Sequence, residues 1–240
     1  MKFILWFCVF FSLSVKSQTI EVVVSASPGG PNDTVTRKII DVLEKHTNLQ
    51  FVVLNKPGAA KTIAYNYVKN SLKPTLIFET PEVEKHDVFV QLEDLFTLGY
   101  FYNVLVVSEK SGIKNLNQLM DLSYQREINF GHGGIGSFSH LSSQFMCEKT
   151  LRCLDVPYKS SADGMLGLLS GTIDAYAIVS YGSSQFLQNP KYVPIYNIKI
   201  GKDKSWYKVF GKNLSEKDSI MIFSKLKSID SRFFKEIGLE

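Results

Sequence analysis

From Ile20 onward the chain alternates between two periodicities. IEVVVSA (20–26) is a β-branched run of strand length, and it passes through SPGGPND (27–33) into TVTRKIIDVLEKH (34–46), where Val35, Ile39, Ile40 and Leu43 recur at helical spacing. The unit then repeats. FVVLN (51–55) reads as a strand, KPGA (56–59) as a turn, and AAKTIAYNYVKN (59–70) as a helix with Ile63 and Tyr67 on one face. PTLIFET (74–80) gives a third strand. After a charged stretch from Glu82 to Asp94, LFTLGYFYNVLVVSEKS (95–111) reads as one long apolar segment ending at a polar turn.

A second series follows: INFGH (128–132) as strand, a glycine-rich loop, a helix around HLSSQFMCEKT (140–150), CLDVPY (153–158) as strand, SADGMLGLLSG (161–171) as a short helix and TIDAYAIVS (172–180) as strand. YVPIYNIKI (192–200) and SWYKVFG (205–211) supply late strands. SEKDSIMIFSKLKSI (215–229) supplies a helix with Ile220, Ile222, Phe223 and Leu226 toward the core. Strands alternating with helices predict α/β layers with largely parallel sheets, and two series predict two lobes. No Pro/Ser-rich linker separates the halves, so a chain that crosses between lobes more than once is the economical arrangement.

Residues 1–17 stand apart. MKFILWFCVFFSLSVKS carries an apolar run from Phe3 to Val15 that is short for a membrane span and fits the core of a secretory signal, with cleavage after Ser17. Cys8 lies in no lipid-attachment context. The formal net charge of +4 falls to about +2 once Lys2 and Lys16 leave with that segment, too weak a field to argue for nucleic acid. Cys147 and Cys153 are then the remaining cysteines; in an oxidising compartment a local disulfide and a pair of free thiols both stay open.

In open α/β sheets, ligands collect beyond the carboxyl ends of strands, where loops lead into helix N-termini. Three glycine-bearing loops occupy that position: residues 27–33, 56–59 and 131–140. Glycine lets backbone approach a ligand, while Ser27, Asn32, Ser137 and Ser139 can cap a helix or donate to a carboxylate. GHGGIGS lacks the lysine of a phosphate loop and the offset acidic residue of a dinucleotide site, which disfavours a nucleotide. Ser137, His140 and Cys147 with Asp163 or Asp174 form no recognisable nucleophile elbow, so catalysis is not expected. His132, His140 and Cys147 match no common zinc spacing, and neither a metal nor a cofactor is expected.

Four stretches in series, IEVVVSASPGGPNDTVTRKI, VVLNKPGA, INFGHGGIGSFSHL and VPYKSSADGMLGLLSGTIDA, resemble the extracytoplasmic solute-binding receptors of tripartite tricarboxylate transporters, the Bug family. The similarity runs from about Ile20 to Gly238. It implies a two-lobed type II periplasmic-binding-protein fold, with lobe 1 from 18–102 and 201–240, lobe 2 from 103–200, and a ligand cleft between them. It also implies a periplasmic monomer without enzymatic activity that delivers a small organic carboxylate to membrane permease subunits. The ligand class spans di- and tricarboxylates, amino acids and aromatic acids. One carboxylate is gripped by backbone N–H groups and hydroxyls from one loop of each lobe, so the resemblance accounts for the absence of a fixed cation in loops 27–33 and 131–140.

Position by position, the resemblance assigns Ser27, Pro28, Gly29, Gly30, Asn32 and Asp33 to the first loop, and Gly134, Gly136, Ser137 and His140 to the second. Asp163, after VPYK, and Ser180, at the end of a strand, are expected to face the cleft. Gly58 and Ala59 match a wall-shaping turn. Departures are Ala60 and Lys61 where glycine is usual, Ser160 in place of glycine, a short segment at 73–94 and an early stop at Glu240. Two other readings stay open: a ligand sensor signalling to a two-component membrane kinase, and an exported serine hydrolase using Ser137 and His140.

Overall fold

The structure is a computed structural model that describes residues 19–80, 91–198 and 205–240. The signal segment expected at 1–17 and most of the charged stretch 82–94 lie outside the described residues. The strands form two five-stranded sheets. In the first, β1 (Thr19–Val24), β2 (Gln50–Asn55) and β3 (Thr75–Glu79) run parallel, and β10 (Ser205–Lys212) lies antiparallel between β3 and β4 (Glu93–Phe101). In the second, β6 (Ile128–His132), β7 (Cys153–Pro157) and β8 (Ala175–Val179) are parallel, and β5 (Asn103–Ser108) lies antiparallel between β8 and β9 (Tyr192–Ile198). Each sheet thus carries one reversed strand in the fourth place. Periodicity does not report direction; the route of the connecting chain sets it.

The near-continuous apolar runs reflect strands covered on both faces. Ile20 and Val22 pack under α1 (Pro31–His46) and α7 (Glu216–Ser228), while Val23 and Ile77 face Ala64, Tyr65 and Val68 of α2 (Thr62–Asn70). In the second sheet, Leu105 and Val107 meet α3 (Leu116–Gln125) and α4 (Phe138–Lys149). Val104 and Val106 face α5 (Ser161–Ser170) and α6 (Ser184–Leu187). Each such side chain stabilises the fold by roughly 1.5–3 kcal/mol when removed from water. α5 sits close because Gly164 and Gly167 leave room for the rings of Tyr176 and Tyr158; a Cβ at either would come within about 2.2 Å of them.

Several expectations are corrected in detail. The segment at 95–111 is two strands, β4 and β5, one in each sheet, parted at Tyr102. Ile63 is 48% exposed while Tyr67 is only partly buried, and the residues that α2 buries are Ala64, Tyr65 and Val68. On α7, Ser219, Ile222 and Leu226 are buried whereas Ile220 and Phe223 are exposed. Helix α3 went unread because one of its two buried positions is a serine, Ser123. Of the two cysteine states left open, the structure has the disulfide: Cys147 and Cys153 are bonded, with Cα atoms 5.5 Å apart.

The chain passes from the first sheet to the second at residues 101–103 and returns between β9 and β10, while the residues just after β8 come back to the junction without leaving the second sheet. The first passage, the end of β8 and residues 237–240 are tied together. The Ser180 N–H donates to Tyr102 O at 2.8 Å, its hydroxyl donates to Gly238 O at 2.9 Å, and Gly182 N–H donates to Ile237 O at 2.8 Å. Tyr100 and Glu240 exchange backbone hydrogen bonds at 2.9 Å. A helix after α7, α8 (Ser231–Glu236), leads into this tail and packs Phe233 and Phe234 against the first core.

Candidate ligand-binding cleft

One cavity of about 490 Å³ is walled by residues from both sheets' loops. Three helices open their N-termini onto it: α1 through Gly30, Pro31 and Asn32, α4 through Ser137, Phe138 and Ser139, and α5 through Ser160 and Ser161. Each end carries unpaired N–H groups and the positive pole of its helix. Lys61 and Lys159 also line the wall, and no carboxylate side chain does among the described residues. The enclosure suits an organic anion.

The first loop is shaped by Asp33. Its carboxylate accepts Gly29 N–H at 2.9 Å, Arg37 Nε at 2.9 Å and Asn55 Nδ2 at 2.9 Å. Burial alone would raise the Asp33 pKa, but these three donors outweigh it and hold the carboxyl below its ordinary value. Gly29 takes a left-handed φ of 75°, and its carbonyl accepts from Gln185 Nε2 at 3.2 Å, across from the other half of the molecule. Beneath the loop runs a buried polar chain. Tyr207 OH and Thr36 Oγ1 both donate to Asn32 Oδ1, Asn32 Nδ2 reaches Ser25 Oγ at 3.5 Å, and Ser25 donates to Glu79.

In the second loop, Ser137 is the cap of α4: its Oγ accepts His140 N–H at 3.2 Å and donates to Gly134 O at 2.7 Å. Gly133 N–H donates to Ser139 Oγ at 2.8 Å. Gly134 and Gly136 both adopt left-handed φ, 98° and 78°. His140 Nδ1 accepts Gly136 N–H at 3.2 Å, which leaves its proton on Nε2, facing Asp155 at 3.8 Å. Burial, then the neighbouring His132, hold the His140 pKa below its ordinary value. Both ring nitrogens being directed elsewhere, His140 is not placed to take a proton from Ser137 Oγ, so the hydrolase arrangement is not formed. Cys147, in a disulfide, offers no thiolate as nucleophile or ligand. A different trio, His132, His140 and Asp155, brings its ligand atoms within 4.8 Å of one another; the protonated His140 Nε2 opposes a metal there.

Of the residues singled out from sequence, Ser27, Gly30, Asn32, Gly134 and Ser137 lie in the cavity wall together. Pro28, Gly29, Asp33, Gly136 and His140 are not in the wall and belong to the loops and helix starts beside it. Asp163 accepts Ser160 Oγ at 2.8 Å, completing the cap of α5, while Ser160, at the unusual position, is in the wall. Ser180 is buried at the crossing between the sheets. Sequence reasoning missed Tyr158, Tyr181 and Glu79. Tyr181 stacks on Tyr207 at 4.5 Å and lines the cavity. Glu79 closes strand β3, and nothing local in PTLIFET marks the lysine it meets.

Comparison with known proteins follows the same outline. Residues 35–192 match the family described as tripartite tricarboxylate transporter family receptor. A UPF0065 protein of Bordetella bronchiseptica is 28% identical over 171 residues, 65% of this chain and 51% of that protein, so the chain spans about half the length of this relative. The structure of R. palustris Rpa4515 with adipate superposes with a TM-score of 0.82 at 21% identity, covering 94% of this chain and 89% of that one. MatC from Rhodopseudomonas palustris with bound malate gives 0.73 at 18% identity, covering 92% and 89%. These likenesses show the two-lobed periplasmic-binding-protein fold. With two-thirds of its length matched by the family, this chain belongs to the tripartite tricarboxylate transporter family receptors.

Proposed function

We propose that the protein is a periplasmic solute-binding receptor that captures a small organic carboxylate between its lobes and presents it to the permease subunits of a tripartite tricarboxylate-type transporter. Residues 18–102 with 201–240 form one lobe and 103–200 the other. The observation that carries the reading is the convergence of three helix N-termini and two lysines on a cavity whose described wall contains no carboxylate. One ligand carboxylate is held between the starts of α1 and α4, where Ser27, Gly30, Gly134 and Ser137 supply open backbone and hydroxyls. Two structural neighbours carry adipate and malate, acids of this class.

Calorimetry against dicarboxylates, tricarboxylates, amino acids and aromatic acids tests the proposal. At least one acid binds with one-to-one stoichiometry, and Gly30→Val weakens it, because a Cβ at Gly30 would meet Ser27 O at 3.2 Å and fill the approach to the helix start. No heat from any acid, or unchanged affinity in Gly30→Val, would remove the cleft from consideration.

A further inference from the structure

Behind the cleft wall of the first lobe lies a carboxylate that the grip on a single acid group does not require. Glu79, the last residue of β3, is fully buried. Its Oε1 accepts from Ser25 Oγ and its Oε2 from Lys61 Nζ at 2.6 Å. An uncompensated charge there would be strongly destabilising, and Lys61 supplies the compensation. Lys61 differs from Glu79 in one respect: its side chain is 22% exposed and stands in the cavity wall, whereas the Glu79 side chain, 1% exposed, does not. The pair therefore turns its positive end toward the cleft.

An ammonium has three donors, and Glu79 is the one hydrogen-bond acceptor of the Lys61 ammonium among the described residues. The backbone adds to the case. Lys61 has φ 71° and ψ −5°, a left-handed conformation that glycine adopts freely and lysine adopts under strain. That strain is kept at a position whose side chain reaches the cavity, and backbone strain of this kind clusters at ligand sites.

We propose that Lys61, oriented by Glu79, forms a second anion subsite, and that the ligand is a dicarboxylate with its far carboxylate accepting hydrogen bonds from Lys61. The subsite rests on the carboxylate reading of the cleft. An amino acid fits less well, because both oxygens of Glu79 already accept hydrogen bonds and neither is in the wall.

The test is calorimetry with matched straight-chain acids, each dicarboxylate from succinate to adipate against the monocarboxylate of equal carbon number. It uses the natural protein and Lys61→Met/Glu79→Gln, in which neither charge is stranded; a thermal melt verifies folding. The natural protein binds the dicarboxylate of the best pair at least about tenfold more tightly, as a charge-assisted hydrogen bond would give, and the double variant binds both members alike. Equal binding of each pair by the natural protein, which needs no variant, or a preference that survives in the double variant, overturns the subsite and leaves the cleft reading standing. Failure to bind any of these acids overturns the subsite, and failure to bind any member of the wider acid panel as well overturns both.

Discussion

The Asp33 carboxylate accepts the Gly29 N–H at 2.9 Å, four residues back along the chain, and so fixes the left-handed turn from which α1 begins. Asp33 serves the first loop by shaping it, with Arg37 and Asn55 completing its hydrogen bonds. Asp33→Ala is expected to lower stability by about 2–3 kcal/mol, since several charge-assisted bonds vanish together, and to weaken ligand binding as Gly29 relaxes. Urea denaturation and calorimetry on one preparation read both; a variant with unaltered affinity would show that the turn holds its form without the carboxylate.

Acid sensitivity follows from Asp33 and Asp174. Burial raises the pKa of each, but Arg37, Gly29 and Asn55 outweigh it at Asp33, and Arg126 with Asn129 N–H outweigh it at Asp174. Both carboxyls therefore titrate below the ordinary 3.8 in the folded protein. A depressed folded value gives stabilisation that is complete above the unfolded value and is lost as pH falls through the folded one. The urea midpoint should be flat above about pH 5 and fall below about pH 4, less steeply in Asp174→Asn. Identical slopes in the two proteins would contradict the assignment.

At the crossing between the sheets, Gly182 (φ 63°) and Gly238 (φ 83°) leave no space for a side chain: an added Cβ would lie 2.0 Å from Pro31 O in the first case and 2.2 Å from Ser180 O in the second. Gly238→Ala should cost about 2 kcal/mol or more through strain and displacement together. A thermal melt equal to that of the natural protein would mean that the tail can shift aside freely.

Reduction of the disulfide removes a small loop constraint joining the end of α4 to the start of β7. A closed loop this short stabilises by about 2 kcal/mol. Cys147→Ser/Cys153→Ser should lose that amount while keeping ligand affinity, because neither cysteine lines the cavity. Loss of binding in a folded variant would place the bridge in control of the glycine loop.

The repeated strand–turn–helix units were readable because their apolar spacing records burial on both faces of each sheet, as Ile20 and Val22 on one side and Val23 on the other illustrate. The split at Tyr102 was not, because two strands in different sheets share one unbroken apolar run and nothing local marks the passage. That Gly30 and Gly134 line the cavity was legible from the glycine-bearing loops that carry them. Glu79 and Tyr181 were not. Their roles arise where distant segments meet, Glu79 against Lys61 and Tyr181 against Tyr207, and single-sequence spacing carries no record of such meetings.

The reversed strand of the first sheet bears on how the molecule assembles. β10 separates β3 from β4, pairing Val209 with Phe78 on one side and with Phe96 on the other. During synthesis that seat stays empty until β10 emerges, so β3 keeps an open edge while everything between the two is made. A nascent chain in that condition invites wrong partners, and maturation should be slow and dependent on protection from association with its own copies.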